Sequence, residues 1–299
     1  MENPNGKIIL YSSYQLGESL PGYIRFALEH LTETGFKVVL LTNRRGLSAE
    51  TQEFLSDNNI FLFQTENHGF DFGMWRRFLK DLAAGQGEFV SLTGINRLLL
   101  MNDSVVYFQN RFKEFVELAE NNAADAISLT KSKEYHPHLQ SYFLYLKPEA
   151  LGAFFMHLLE TPEQENYYDV VHKLEIGLGK AFIDAEVTSD SLFKTGPLPV
   201  LEYPNLIAQG CGFIKRRLLQ GRQSVKEKLF YVRRGASDIL NADYHQMVIK
   251  SGLAPDFKEE WLPSYIGGNI RKTFDKIWEK PLEKIGAPIY NKFVKPNVQ

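Results

Sequence analysis

Short apolar runs alternate along the chain with stretches whose apolar residues recur at helical spacing. Lys7–Ser12 and Lys37–Thr42 are nearly continuous in apolar residues, as strands covered on both faces of a sheet are. Between them, Tyr23–Thr34 carries apolar side chains on one helical face, including Ile24 and Leu28. Strands that alternate with helices predict right-handed crossovers and a mainly parallel sheet. The pattern therefore indicates an α/β fold of the Rossmann type, with helices flanking the sheet.

The same pattern continues through the first two thirds of the chain. Ser48 is the predicted N-cap of a short helix, because serine side chains accept hydrogen bonds from the first helical amides. The remaining predicted strands are 59–64, 98–101, 124–130 and the segment that ends at Leu146, and the predicted helices are 48–56, 112–121, 151–159 and a segment from about Leu174.

Three small polar residues follow directly after the buried strand that ends at Met101. They are Asn102, Asp103 and Ser104. Ligands of open α/β sheets bind beyond the carboxyl ends of the strands, and a carboxylate beside an amide and a hydroxyl suits a metal and a phosphate. We therefore predict that Asp103 lies at the centre of the active site. The alternative is an ordinary turn, which these residue types also favour.

A glycine-rich segment, Glu66–Arg77, opens another helix. Gly69 and Gly73 allow a backbone to approach a ligand closely, and a helix N-terminus attracts phosphate oxygens. Asp71 is predicted to be the N-cap of this helix, a role that is compatible with ligand binding.

Two further segments carry candidate site residues. His138, Gln140 and Ser141 precede an aromatic strand and are predicted to bind a hydroxylated ligand, with a plain edge-strand role as the alternative. His136 and His138 have the spacing of metal ligands on an extended chain, but no third ligand lies near them in sequence, so a zinc site is disfavoured. Glu175 is either a first-turn carboxylate favoured by the helix dipole or a general base directed into the cleft.

Composition and charge narrow the classes of function. The formal net charge of −2 disfavours general nucleic-acid binding. The single cysteine, Cys211, cannot form an internal disulfide, and the N-terminus has no signal-peptide pattern, so we expect a cytoplasmic protein. No segment has the run of about 20 apolar residues that spans a bilayer.

The last third of the chain differs in composition. Prolines between Thr195 and Pro204 suggest a boundary, which divides the chain into a catalytic domain, 1–204, and a basic, mainly helical extension, 205–299. Residues 215–234 contain eight lysine or arginine residues and one glutamate. Near the end, Ile270, Phe274 and Trp278 fall on one helical face, which predicts either packing on the domain or peripheral contact with the inner face of an anionic membrane.

Taken together, these motifs resemble the rhamnan synthesis F family of bacterial polysaccharide glycosyltransferases. The matching segments are Asn67–Gly73, Leu98–Ser104, His138–Phe143, Leu174–Leu178 and Phe213–Leu219. The resemblance implies a GT-A-like fold that transfers a sugar, such as rhamnose or another deoxysugar, from a nucleotide-sugar donor. The acceptor would be a growing cell-surface polysaccharide or a lipid-linked glycan.

The resemblance also implies roles for individual residues. Asp103 corresponds to the metal-binding aspartate, with Mg²⁺ or Mn²⁺ as the expected cation, and Glu175 and then Asp71 are the candidate catalytic bases. Donor or substrate binding is expected of Asn67, Gly69, Asp71, Asn102, Ser104, His138, Gln140, Ser141, Lys215 and Arg216. Asn102 replaces an acidic partner in the metal motif and Gly212 replaces a proline, which leaves a non-catalytic glycan- or partner-binding module as the alternative function.

Overall fold

A computed structural model describes residues 6–85, 91–196, 199, 206 and 209–216. Its centre is a seven-stranded sheet in which, among the described strands, only β9 runs antiparallel to the others. In spatial order the strands are β10 (Ser189–Ser191), β6 (Ala126–Ser128), β9 (Phe143–Leu146), β4 (Arg97–Asn102), β1 (Lys7–Ser13), β2 (Lys37–Thr42) and β3 (Phe61–Gln64). The predicted mainly parallel α/β sheet is confirmed.

The two central strands are buried because both of their faces are covered. Ile8 and Leu10 of β1 and Leu98 and Leu100 of β4 have no exposed surface, as their continuous apolar sequence predicts. The parallel register of β1 and β4 pairs Ser12 with Asn102. The polar residues that end these two strands therefore emerge side by side at the carboxyl edge of the sheet.

The helices pack on the strands of the sheet and against one another. Trp75 and Phe78 of one helix and Phe154 of another belong to the same buried apolar cluster as Leu98 and Leu100. The helices are α1 (Gly22–Thr32), α2 (Ala49–Asp57), α3 (Phe70–Ala83), α4 (Phe112–Asn121), α5 (Pro148–Glu160), α6 (Tyr167–Asp169) and α7 (Ile176–Asp184).

Two short ribbons lie outside the main sheet. The first pairs β5 (Val105–Tyr107) with β11 (Phe213–Lys215) in antiparallel orientation, and the second pairs β7 (Lys131–Ser132) with β8 (His138–Leu139). The β5–β11 ribbon brings residues from the last third of the chain to the residues that follow β4.

The start of α3 differs from the prediction that Asp71 is its N-cap, which is wrong. The N-cap is Gly69, whose carbonyl oxygen accepts the amide hydrogen of Gly73 at 2.9 Å. Gly69 has a φ of 75°, a conformation that glycine adopts without steric cost, and this starts the helix two residues earlier. Asp71 lies in the first turn, where its carboxylate is available to other partners. The predicted N-cap of α2, Ser48, is confirmed, because its side chain accepts from the amide of Thr51.

The helix predicted from about Leu174 is part of a longer helical run. It begins with α6, continues through the π-helical turn Val170–Glu175 and ends with α7. A π-helical turn inserts one extra residue per turn and often marks a functional site. Here it carries Glu175.

The predicted amphipathic helix around Ile270–Trp278 lies outside the described residues. The boundary at residue 204, the cytoplasmic location and the peripheral membrane contact stay predictions. Within the described part of the chain, every helix is too short or too polar to cross a bilayer.

Candidate functional site

Asp103 lies where β4 ends, beside the end of β1. Its Oδ2 accepts a hydrogen bond from the hydroxyl of Ser13 at 3.1 Å and another from Nη1 of Arg216 at 2.9 Å. The Asp103 side chain is only 9% exposed, whereas that of Arg216 is 30% exposed. Burial raises the pKa of Asp103, and the Arg216 guanidinium opposes this shift. The result is a mostly buried carboxylate whose charge is paired with a cation that reaches the surface.

Two cations reach this edge through β11. The backbone amide of Arg216 donates to the carbonyl oxygen of Ser104 at 2.9 Å, which fixes the end of β11 against the residue after Asp103. Lys215 Nζ lies 3.4 Å from Oγ of Ser104 and 4.1 Å from the centre of the Tyr142 ring, a cation–π distance. Arg216 also donates to the hydroxyl of Tyr23 at 2.7 Å. The ribbon therefore holds both cations beside the carboxyl edge of the sheet.

Asp71 belongs to the same cluster. The hydroxyl of Ser12 donates to its Oδ1 at 3.3 Å, and the side chain is partly buried. Burial raises the pKa of Asp71 to about 7, and the negative charges of Asp103 and Glu175 add to this shift, while Lys215 opposes it. A carboxyl group with this pKa can take up or release a proton near neutral pH.

Glu175 contributes a second carboxylate from the π-helical turn. Its Oε1 accepts the backbone amide hydrogen of Ser141 at 3.0 Å, and both residues are only partly buried. Nε2 of His157, on α5, lies 3.0 Å from the carbonyl oxygen of Leu174. A Cβ atom on Gly177 would lie 3.0 Å from Cε1 of the same ring, so this glycine lets α5 approach the turn. The turn and its neighbours therefore fix the position of Glu175.

The structure thus brings six of the predicted residues into one cluster or its immediate supports: Asp71, Asp103, Ser104, Glu175, Lys215 and Arg216. Ser141 joins through its backbone contact with Glu175, and Asn102 supports the turn, because its Oδ1 accepts the amide of Ser104 at 3.1 Å. Asn-Asp-Ser is therefore both a turn and the centre of the cluster.

The remaining predicted residues have no hydrogen bond to this cluster within the described part of the chain. Nδ1 of His138 is 2.8 Å from the carbonyl oxygen of His136, and its Nε2 is 3.2 Å from Nε2 of Gln140, so both ring nitrogens have protein neighbours. Asn67 is exposed at the approach to α3, and Gly69 is buried at its N-cap. Among the described residues, no hydrogen bond joins Asn67 or the His138 ring to the acidic cluster.

A divalent cation fits the described residues poorly. In the described ranges there is no group of three or more histidine, cysteine, aspartate or glutamate residues that could hold a metal ion. Asp103 Oδ2 already contacts a guanidinium, whereas protein sites for Mg²⁺ usually combine several oxygen ligands. The expected Mg²⁺ or Mn²⁺ stays a prediction, and no step below depends on it.

Four residues of the cluster were not predicted from the sequence: Ser12, Ser13, Tyr23 and Tyr142. The position of Ser12 and Ser13 at the end of a buried strand was a usable signal, equal to that of Asn102 and Asp103. Tyr23 and Tyr142 carried no such signal, because their contacts with Arg216 and Lys215 depend on where β11 packs.

The fold and the site define an α/β protein with a paired acidic and cationic cluster at the carboxyl edge of a mostly parallel sheet, where such folds bind ligands. The model of a family described as rhamnan synthesis protein F matches residues 38–255. The chain therefore belongs to the rhamnan synthesis protein F family, as the sequence motifs predicted.

Comparisons with individual proteins add little to this assignment. The solved structures that match include a cytidylyltransferase from Leptospira borgpetersenii serovar Hardjo-bovis, at 13% identity and a TM-score of 0.34, covering 61% of this chain and 74% of that chain. No curated protein matches the chain.

Proposed function

We propose that this protein is a glycosyltransferase, with a GT-A-like catalytic domain, that moves a sugar from a nucleotide-sugar donor to a growing polysaccharide or lipid-linked glycan. Membership of the rhamnan synthesis protein F family supports the class of reaction. The observation that carries the proposal is the position of Lys215 and Arg216 beside Asp103 at the carboxyl edge of the sheet.

The reaction breaks the bond between the anomeric carbon of the sugar and a diphosphate oxygen. Negative charge develops on the leaving diphosphate, and cationic side chains that already point at that position stabilise it. Lys215 and Arg216 are the cations of the cluster that suit this role. The N-terminus of α3, adjacent to Ser12 through Asp71, adds a favourable field for phosphate oxygens.

The new bond forms between the anomeric carbon and an acceptor hydroxyl oxygen, whose proton must go to a base. Glu175 and Asp71 are the two candidates. Glu175 is held by the Ser141 amide at 3.0 Å, which fixes its direction, and Asp71 has a pKa of about 7, which suits proton uptake at neutral pH. Because the negative charge of Glu175 contributes to the raised pKa of Asp71, Glu175→Gln should also lower the pKa of Asp71.

A direct test is the release of nucleoside diphosphate from a panel of nucleotide sugars, including dTDP-rhamnose, with a rhamnose oligosaccharide as acceptor. The proposal predicts turnover of at least one donor by the full chain and a loss of about 100-fold or more in Glu175→Gln or Asp71→Asn. Met156→Ala, an exposed position on α5, is the control and should retain full turnover. Absence of turnover with every donor, or wild-type turnover in both carboxylate variants, would contradict the proposal.

A further inference from the structure

A group of exposed aromatic rings lies on the same chain segments as several candidate site residues. Tyr135, Tyr167 and Tyr168 have 66%, 67% and 64% of their surface exposed, and Phe70 has 37%. Large aromatic side chains are normally buried, so several exposed together indicate an interaction surface. We name these rings, together with that of His172, the aromatic platform.

The rings of the platform form two groups whose members contact each other, and the two groups are joined by adjacent residues of the chain. His172 lies between two tyrosines, with ring centroids 4.0 Å from Tyr168 and 4.5 Å from Tyr135. Phe70 meets Tyr167 edge to face at 5.9 Å, and Tyr167 is adjacent in sequence to Tyr168. The contacts orient the rings relative to one another, while leaving most of the tyrosine surfaces open to solvent.

Two of these rings are held on strained backbone. Phe70 has a φ of 55° and Tyr135 a φ of 67°, in the left-handed region that bulky side chains rarely adopt. Strained residues of this kind persist where the surrounding structure fixes them, and they concentrate at ligand-binding sites. Both strained aromatic residues belong to the same platform.

The platform is continuous along the chain with three candidate site residues. Phe70 directly precedes Asp71, His172 lies three residues before Glu175 in the π-helical turn, and Tyr135 lies three residues before His138. The segments that carry the two carboxylates therefore also carry rings of the platform.

We propose that the aromatic platform binds the sugar rings of the acceptor glycan and directs its terminal hydroxyl toward Glu175 and Asp71. A sugar ring has an apolar face of C–H groups that packs on an aromatic ring, and its hydroxyls match the polar edge of tyrosine. The platform offers three tyrosines with both properties. This proposal rests on the proposed function, since it assigns the substrate of the same site.

The test uses saturation-transfer NMR and titration of the full chain with a rhamnose trisaccharide. Wild type should bind the trisaccharide, and saturation should pass from the protein to the protons of the sugar rings. Tyr168→Ala should lower the affinity about tenfold, whereas Tyr168→Phe, which keeps the ring, should retain most of it. Phe61→Ala is the matched control, because Phe61 is 40% exposed at the opposite, amino end of the sheet, and it should bind as wild type does.

Tyr135→Gly separates binding from folding. Glycine adopts the left-handed φ at this position without strain, so the melting temperature should stay equal or rise while the affinity falls about tenfold. Failure of wild type to bind the trisaccharide, or an affinity in Tyr168→Ala and Tyr135→Gly equal to that of wild type, would overturn the proposal. So would concentration-dependent self-association that Tyr168→Ala abolishes, because the platform would then bind a second copy.

The same samples, titrated with UDP, GDP and dTDP, distinguish this proposal from the proposed function. If a nucleotide binds but the trisaccharide does not bind through the platform, the proposed transferase function stands and the proposed role of the platform is contradicted. If the trisaccharide binds through the platform but no nucleotide binds, the platform is supported as a glycan-binding surface and the proposed transferase activity is contradicted.

Discussion

Arg216 donates a hydrogen bond to Asp103 at 2.9 Å, and the two residues are 113 positions apart in the chain. This contact joins β11 to the end of β4 and pairs a mostly buried carboxylate with a cation. The residue before Arg216 reaches Ser104, the residue after Asp103, so the two segments meet at two successive positions. The cluster therefore has its two cations only when residues 213–215 pair with β5.

Arg216→Met should destabilise the folded protein. It leaves the mostly buried Asp103 carboxylate without its cation, and we expect the free energy of unfolding in urea at neutral pH to fall by about 2 kcal/mol. Arg25→Met is the control, because Arg25 pairs with Glu50, whose side chain is 70% exposed, and such pairs contribute about 0.5 kcal/mol. Equal losses in the free energy of unfolding would show that the Asp103–Arg216 pair contributes no more to stability than an exposed ion pair does.

Adding Asp103→Asn to Arg216→Met should restore part of the lost stability, because the unpaired charge is then absent. A double-mutant cycle measures this coupling. Strictly additive losses would exclude a direct interaction between the two side chains.

Asp71 should make stability depend on pH. Its pKa is about 7 in the folded protein, against an ordinary value of 3.8, so the folded state holds the proton more tightly than the unfolded chain does. The stabilisation is therefore complete below about pH 4 and is lost as the pH rises through about 7. Asp71→Asn cannot ionise, and we expect it to gain stability relative to wild type over this range.

Urea unfolding at a series of pH values between about 4 and 8 checks this expectation. Asp57→Asn, at the exposed end of α2, controls for the loss of one negative charge. If the free energies of unfolding of Asp71→Asn and wild type differ by the same amount at every pH in this range, the raised pKa of Asp71 is contradicted.

Substitution of two helical glycines by alanine should change the stability of the protein in opposite directions. A Cβ atom at Gly73 would lie 1.8 Å from the carbonyl oxygen of His68, which also accepts two hydrogen bonds from Arg77 at 2.8 Å. Gly73→Ala must displace this backbone, and we expect a loss of more than about 2 kcal/mol in the free energy of unfolding.

Gly152, on α5, has open space around its Cβ position, so Gly152→Ala should raise the stability by about 0.5 to 1 kcal/mol. Thermal and urea unfolding of both variants provide the comparison. A Gly73→Ala protein as stable as wild type would mean that the start of α3 is not packed as described.

The periodicity of the sequence was sufficient to predict six of the seven strands of the main sheet, all but β10, and most of its helices. Lys37–Thr42 and Phe112–Asn121 have the predicted bounds, because continuous burial and an apolar helical face leave few alternatives. The start of α3 was wrong for a local reason. Aspartate is a favoured N-cap in general, and the pattern could not indicate that Gly69 would adopt the left-handed conformation instead.

The candidate site was predictable where it lies at strand ends and along the matched motifs. Asp103 follows a buried strand, and its position at the carboxyl edge is a consequence of the parallel register. The partners of Asp103 were not predictable, because the contact with Arg216 depends on the pairing of β5 with β11 across more than 100 residues. Local sequence patterns do not encode such long-range pairing.

The most direct test of the central claim is calorimetric titration of UDP, GDP and dTDP, and of the matching nucleosides, into wild type and Lys215→Met. The account predicts that wild type binds at least one diphosphate and that Lys215→Met binds it about tenfold or more weakly, while binding of the nucleoside is unchanged. Equal diphosphate affinity in the two proteins, or no binding by wild type, would contradict the assignment of this cluster as the diphosphate site.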